Sequence, residues 1–317
     1  MVQLKSTQLH SLYCCPYCLN SSLEFTDEGK LKCTQVNCSG NDQIPQVSEQ
    51  PILVNFENSV FDIDNFSKLD NGSVISRQRS RLHKFLYRII WGTDKKAKEN
   101  SQIFIDKLLE QNPNPTILIV GGGTKGLGSD RLYNNPAVNI VSCDIYCSEN
   151  TDFIADAHSI PLKDESVDGV WIQYVLEHVI EPAKVVSEIH RILKPNGLVY
   201  AATPFMQQVH EKAYDFTRFT ENGHRWLFKN FELIKSGVIW GPGTVLLWTI
   251  RSFFAALFRS KKIGTLSLLF FFWVRFFDKI MPENYSSDGA SAFFFMGRKN
   301  HKPMNIEDII KFYRGVH

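Results

Sequence analysis

The strongest constraint in this sequence is an alternation of short apolar runs and helical segments between residues 117 and 204. ILIV (117–120) breaks into GGGTKG, and VNIVSCD (Val138–Asp144), DFIAD (Asp152–Asp156), DGVWIQY (Asp168–Tyr174) and LVYAATP (Leu198–Pro204) follow. The segment EPAKVVSEIHRIL reads as a helix: Pro182 suits its first turn, and Val185, Val186, Ile189, Ile192 and Leu193 share one face. Pro195, Asn196 and Gly197 end it and turn the chain into the next strand. Apolar strands separated by helices predict an α/β, doubly wound parallel sheet with ligands at the carboxyl ends of its strands. Gly121, Gly123 and Gly126 fall at the first of those ends with dinucleotide spacing, and Asp144 ends the second strand where it can reach ribose hydroxyls.

Composition sets wider bounds. A chain of 317 residues, 44% hydrophobic and 21% charged, can bury one large core and carry a small second domain. A formal net charge of +2 gives no global attraction to nucleic acid. The start, MVQLKSTQLHSLYCC, has no long apolar stretch behind its lysine, which predicts a reducing, cytoplasmic setting. The seven cysteines then need a role other than disulfides. Two tight pairs, in YCCPYCLN and LKCTQVNCSG, flank a hairpin-like stretch, and such an arrangement suits a tetrahedral structural Zn2+ on Cys15, Cys18, Cys33 and Cys38, with Cys14 spare. The following IPQVSEQPILVNF resembles the end of the small zinc-ribbon domains related to the methyltransferase-activator family.

Three stretches narrow the choice of ligand: the DAH ending the third strand, IPLKDESVDGVWIQYVLEHV, and EIHRILKPNGLVYAATP. Together they resemble the class I S-adenosylmethionine (SAM) dependent methyltransferases, of the methyltransferase type 11-like branch, over roughly Ile117 to Gly237. That resemblance implies a Rossmann-like seven-stranded sheet with an antiparallel last strand, here ASAFFFMGRK (Ala290–Lys299), and SAM as cofactor. It also implies that Gly121, Gly122 and Gly123 meet the methionyl part and that Asp144, with Ile145 beside it, meets the ribose. Asp156 would take the adenine amino group, Ala157 would leave room for the ring, and Gln173 with Tyr174 would line the methyl-transfer side. One position departs from the pattern: Ile119 stands where the family carries an acid two residues before the first glycine.

TPFMQQVHEKAYDFTRFTENGHRWLF resembles a bacterial subgroup reading PFxQxxHxxPxDFxRFT. The resemblance places His210 as a catalytic base, with Asp215 orienting it or binding substrate, and puts Arg218 and Thr220 in the pattern; Thr220 is expected to cap the next helix, and His178 to be structural.

The expected organisation is a zinc ribbon over 1–57, a linker with a basic amphipathic helix over 58–112, the methyltransferase domain over 113–300, and a C-terminal helix in 301–317. The basic helix rests on Leu82, Phe85, Leu86, Ile89 and Ile90 flanked by Arg77, Arg79, Arg81, Lys84 and Arg88. A helical insertion over 244–281 precedes the last strand. It is apolar and aromatic but interrupted by Arg251, Arg259, Lys261, Lys262 and Arg275, which predicts a lid, a hairpin lying peripherally on the inner face of the membrane, or a dimer contact. The favoured acceptor is a small molecule, a glycan or a lipid-linked compound. A zinc-containing RNA methyltransferase and a catalytically weak, methyltransferase-like binding protein are the alternatives.

Overall fold

The computed structural model describes residues 6–19, 22–41, 44–59, 61 and 95–316. The basic helix expected around Arg77–Ile90 lies outside them. Helix α1 (Ser6–Leu12) leads into two small hairpins, β1 (Leu23–Phe25) with β2 (Leu31–Cys33), and β3 (Gln46–Val47) with β4 (Gln50–Pro51). Helix α2 (Lys95–Leu109) precedes β5 (Thr116–Val120), α3 (Asp130–Asn134), β6 (Asn139–Asp144) and β7 (Phe153–Ile154). Then come β8 (Val167–Gln173), α4 (Pro182–Ile192), β9 (Leu193–Pro204), α5 (Glu221–Leu227) and β10 (Phe231–Trp240). Helices α6 (Pro242–Leu257) and α7 (Lys261–Phe271), a 3-10 segment (Phe272–Lys279), α8 (Glu283–Ser286), β11 (Ala292–Lys299) and α9 (Ile306–Lys311) complete the chain.

The seven-stranded sheet has the order β10-β11-β9-β8-β5-β6-β7, and β11 alone runs against its neighbours. The doubly wound, Rossmann-like sheet and its antiparallel last strand are therefore as expected. Strand alternation divides the core. Leu118, Val120, Val170, Ile172 and Val199 face α4, whose Val185, Val186, Ile189 and Ile192 are buried. Ile117 and Ile119 face the other way, toward Phe104, Ile105 and Leu108 of α2. Burial of each of those three side chains stabilises the fold by about 1.5–3 kcal/mol. Residues 95–109, read from sequence as linker, are thus a structural layer of the sheet domain. On the same face Trp171 stacks on Tyr200 with ring centroids 3.7 Å apart, and Tyr200 stacks on Phe294 at 6.1 Å.

At the amino edge, Asp168 fastens three strand starts: it accepts from Thr116 N–H at 2.8 Å and Asn112 Nδ2 at 3.1 Å, and pairs with Lys194 Nζ at 3.0 Å. The third parallel strand is shorter than the expected Asp152–Asp156. The Asp152 carboxylate, not its backbone, receives Ser142 N–H at 2.8 Å, which ends the ladder early. The outer edge of β7 is covered by the N-terminal unit, where Leu53 N–H donates to Ile154 O at 2.8 Å and Tyr13 packs edge-on against Phe153. Covering an edge strand in this way removes a template for association.

The insertion leaves the sheet at its carboxyl edge, because Trp240 and Ala292 pair beside Pro204. Asp278 from the 3-10 segment accepts from Gly243 N–H, Thr244 N–H and Thr244 Oγ1 at 2.7, 3.0 and 2.6 Å, placing an anion on the N-terminus of α6. Phe253, Leu257, Phe258, Leu266, Leu269, Phe270 and Trp273 remain exposed. Arg259, Lys261 and Lys262 stand exposed at the turn between α6 and α7. No helix among the described residues is long and apolar enough to cross a membrane.

Candidate active site

The sheet brings Gly121, Gly122, Gly123, Asp144, Ile145, Asp156, Ala157 and Gln173 to one carboxyl edge, because β5, β6, β7 and β8 are neighbours and parallel. Gly121 and Gly122 both donate to Cys143 O, at 2.9 and 3.0 Å, so the ladder continues one step past β5. Gly121 then turns with φ +74°, a left-handed conformation that disfavours other residues. The space its missing Cβ vacates is filled from within the chain: a Cβ there would lie 2.2 Å from Val175 Cγ2.

Asp144 faces the glycine turn, accepting from Gly123 N–H at 2.8 Å and from Ile145 N–H at 2.7 Å. The Tyr146 ring lies against Gly123, where a Cβ would meet its Cε2 at 2.5 Å. Asp156 is buried and fully engaged. It receives Ser59 Oγ at 2.5 Å and His158 N–H at 2.9 Å, and lies 2.6 Å from His158 Nδ1. Since His158 Nε2 accepts from Glu181 N–H at 3.1 Å, the ring proton sits on Nδ1 and is donated to Asp156. Burial works to raise the Asp156 pKa, but these donors outweigh it and hold the carboxyl below its ordinary value. Gln173 donates to Leu127 O at 3.1 Å and accepts from Trp171 Nε1 at 3.3 Å, which fastens it to the glycine segment. Ile119 packs in the α2-side core, and with Tyr133, Trp171 and Gln173 it lines a cavity of about 20 Å³. That volume suits one water, whereas an adenosyl ligand needs a few hundred Å³ (~300). The residues fit a nucleoside in kind, in that a left-handed glycine turn and two strand-end acids converge. Access requires the Tyr146 ring and the Ser59 hydroxyl to move.

The other side of the edge is built from the turn after β8 and the loop after β9. Asp215 accepts from both Nη atoms of Arg218 and from His210 N–H at 2.8 Å, and its Oδ2 lies 3.3 Å from His210 Nδ1. Burial pushes the Asp215 carboxyl up, yet Arg218 and the His210 amide prevail and hold it down to about 2. His178 Nδ1 lies 2.7 Å from Tyr214 O, and its ring meets that of His210 edge-on at 4.9 Å. Burial lowers the His178 pKa to about 4, so the ring is neutral near pH 7. Thr220 caps α5, its Oγ1 accepting from Gly223 N–H at 3.1 Å. Sequence reading missed Glu177, Ser59 and Tyr146. Only Glu177 carried a local signal, a carboxylate adjacent to a histidine at a strand end.

Cys15, Cys18, Cys33 and Cys38 converge at the open end of the β1–β2 hairpin, with Sγ···Sγ separations of 3.6 Å (Cys15–Cys38) and 3.8 Å (Cys18–Cys33). Backbone N–H groups of Gln35 and Gly40 point at Cys33 and Cys38 Sγ, each at 3.4 Å. Cys14 lies apart in the docking interface, where burial pushes its thiol up to about 12.

A sheet of this order, with one reversed strand, a glycine turn and acids at successive strand ends, is a Rossmann-like methyltransferase fold. Residues 121–201 match the family described as Methyltransferase domain. Demethylmenaquinone methyltransferase of Paenarthrobacter aurescens (strain TC1) is 34% identical over 95 residues, covering 27% of this chain and 36% of that protein. Malonyl-[acyl-carrier protein] O-methyltransferase of Marinomonas sp. (strain MWYL1) is 32% identical over 111 residues, covering 30% of this chain and 40% of that one. The chain thus spans well under half the length of either relative. Among solved structures, Haemonchus contortus phosphoethanolamine N-methyltransferase 2 with SAM superposes with a TM-score of 0.45 at 15% identity, over 71% of this chain and 59% of the other.

Proposed function

We propose that the protein is a SAM-dependent methyltransferase whose acceptor is apolar or lipid-linked and is met at a membrane surface. The observation that carries the methyltransferase reading is the convergence of the left-handed Gly121 turn with Asp144, inside the segment that matches the Methyltransferase domain family. When bound, SAM supplies a methyl group made electrophilic by its sulfonium. The chain's own work is then to bind and orient. Gly121, Gly122 and Gly123 receive the methionyl part, Asp144 with Ile145 the ribose, and Asp156 with Ala157 the adenine. Gln173 lines the transfer side. The acceptor enters between this edge and the loop carrying His210 and Asp215, where its proton is taken.

The exposed aromatic faces of α6 and α7, tipped by Arg259, Lys261 and Lys262, support membrane contact. The hairpin stands beside the acceptor loop, since Gln208 Nε2 donates to Thr249 Oγ1 at 3.3 Å. Relatives named for demethylmenaquinone and for malonyl-[acyl-carrier protein] are compatible with acceptors of varied chemistry. The four cysteines hold a structural zinc in this reading: Zn–S bonds of ~2.3 Å in a tetrahedron separate sulfurs by ~3.8 Å, close to the 3.6 and 3.8 Å found. A second reading, a binding protein with little turnover, is favoured by Tyr146 against Gly123 and Ser59 on Asp156.

Titration calorimetry with SAM tests the cofactor site on which the enzyme reading depends. Binding that weakens about 10- to 100-fold in Asp144→Asn supports the enzyme, from the 1.5–3 kcal/mol of hydrogen bonds to a charged group. Absence of binding at millimolar SAM refutes it. Flotation with anionic liposomes tests the hairpin, and equal flotation after Phe253, Phe258 and Phe270 are replaced by Ser would sink the membrane contact.

A further inference from the structure

Glu177, in the turn after β8, is entirely buried, and neither of its carboxylate oxygens has a hydrogen-bond partner among the described residues. A carboxyl in that position answers its desolvation penalty either by keeping a proton or by meeting a cation. Two imidazoles face it. His178 Nε2 lies 3.7 Å from Glu177 Oε1, and one ligand atom from each of Glu177, His178 and His210 falls within 4.8 Å of the others.

We propose that Glu177, His178 and His210 form a binding site for a divalent transition-metal ion of the zinc, cobalt or manganese class. Each ligand is prepared for that task. His178 Nδ1 is held by the Tyr214 carbonyl at 2.7 Å, which puts the proton on Nδ1 and leaves the Nε2 lone pair directed at Glu177. A backbone acceptor that fixes the tautomer is the usual outer support of a metal-bound histidine. His210 Nδ1 faces the Asp215 carboxylate at 3.3 Å and Gln208 O at 3.4 Å, so the same arrangement recurs on the second ring, whose Nε2 makes no hydrogen bond among the described residues. Arg218 acts on this corner electrostatically, and its guanidinium is bonded to both oxygens of Asp215. The donor set of two imidazoles and one carboxylate suits these ions and not calcium or magnesium, which prefer oxygen.

Ligand bonds of ~2.1 Å in a tetrahedron place donor atoms ~3.4 Å apart, so closing from the present 4.8 Å limit asks for movements of about 1 Å. His210 is the exposed member and can supply most of that movement. Three protein ligands would leave a coordination position open. The use of that position toward an acceptor oxygen rests on the methyltransferase reading, with His210 then serving as a ligand in place of a free base. Occupancy by the ion does not rest on it.

The test is dialysis of the full chain against Co2+, followed by elemental analysis and absorption spectroscopy. Cobalt on the four cysteines gives intense thiolate charge-transfer bands, whereas cobalt on nitrogen and oxygen gives only weak visible bands, so the two sites are counted separately. The expected result is a second cobalt per chain beyond the thiolate-bound one, lost in both His210→Ala and Glu177→Gln while the thiolate bands persist. His210→Ala is the control against misfolding, because that side chain is exposed, and its affinity for the second ion should fall at least about 100-fold. A wild-type chain that takes up only thiolate-bound cobalt, or variants that keep the second ion, would overturn the proposal. SAM calorimetry on the Glu177→Gln chain, with the thiolate-bound ion kept in place, reports separately on the methyltransferase reading.

Discussion

Replacing Gly121 with alanine tests the glycine turn where its geometry is most demanding. At φ +74° an alanine backbone is strained by about 1–2 kcal/mol. Its Cβ would also lie 2.2 Å from Val175 Cγ2, and relieving such an overlap in a packed site costs about 1–3 kcal/mol. Gly121→Ala should therefore destabilise the fold by about 2–5 kcal/mol. Val175→Ala alone removes two methyl groups from a partly buried site and should cost about 1–2 kcal/mol. In the double variant the new Cβ occupies the space the valine leaves. Only the backbone strain and the lost valine contacts then remain, and the pair should be less destabilised than the sum of the singles by about 1–3 kcal/mol. Urea unfolding followed by tryptophan fluorescence measures all four corners of this cycle. Additivity within about 0.5 kcal/mol would refute the packing argument, and a single Gly121→Ala effect below about 1 kcal/mol would refute the strain argument as well.

Tyr146→Ala should tighten SAM binding by roughly tenfold, since about 1.4 kcal/mol is a modest estimate for displacing a ring from Gly123; unchanged or weaker affinity in calorimetry would count against the ring as an obstacle. Cys33→Ser should lower the zinc content by one ion per chain in elemental analysis and loosen the N-terminal hairpins, read as increased trypsin cleavage before residue 57; undiminished zinc would exclude Cys33 as a ligand. His224 is buried between Phe228 and Phe295, and burial lowers its pKa to about 3. Because the unfolded ring takes up a proton near pH 6.5 and the folded ring does not, its contribution is present above that pH and is lost as the pH falls toward 3. The thermal midpoint should therefore drop between pH 7 and pH 5, and drop less in His224→Phe; parallel curves would reject this source of acid sensitivity.

What the sequence disclosed and what it hid follow from the range of the interactions involved. The strands around Ile117, Val141 and Val170 were readable because burial on both faces leaves continuous apolar runs, and α4 because its stripe and its Pro182 are local. The meeting of Gly121, Asp144 and Asp156 followed from topology alone. Helix α2 was hidden because its first turns, KKAKENSQ, are polar, and the apolar IFIDKLL behind them is short. Contacts between distant segments left no local trace: Ser59 reaches Asp156 across 97 residues, and Tyr146 covers Gly123 through a turn with no recognisable pattern. The unsatisfied state of Glu177 is a property of three-dimensional burial, which no spacing rule encodes.

The stretch between the cysteine hairpins and the sheet is stitched down at three successive points. Gln50 Nε2 donates to Ser148 O at 2.6 Å, Leu53 N–H to Ile154 O, and Ser59 Oγ to Asp156. Ten residues of chain thus act as a zipper between the sulfur cluster and the carboxylate assigned to adenine. Loosening of the cluster would therefore be felt first along the β7 edge, where these three contacts are made, and only afterwards on the opposite flank of the sheet.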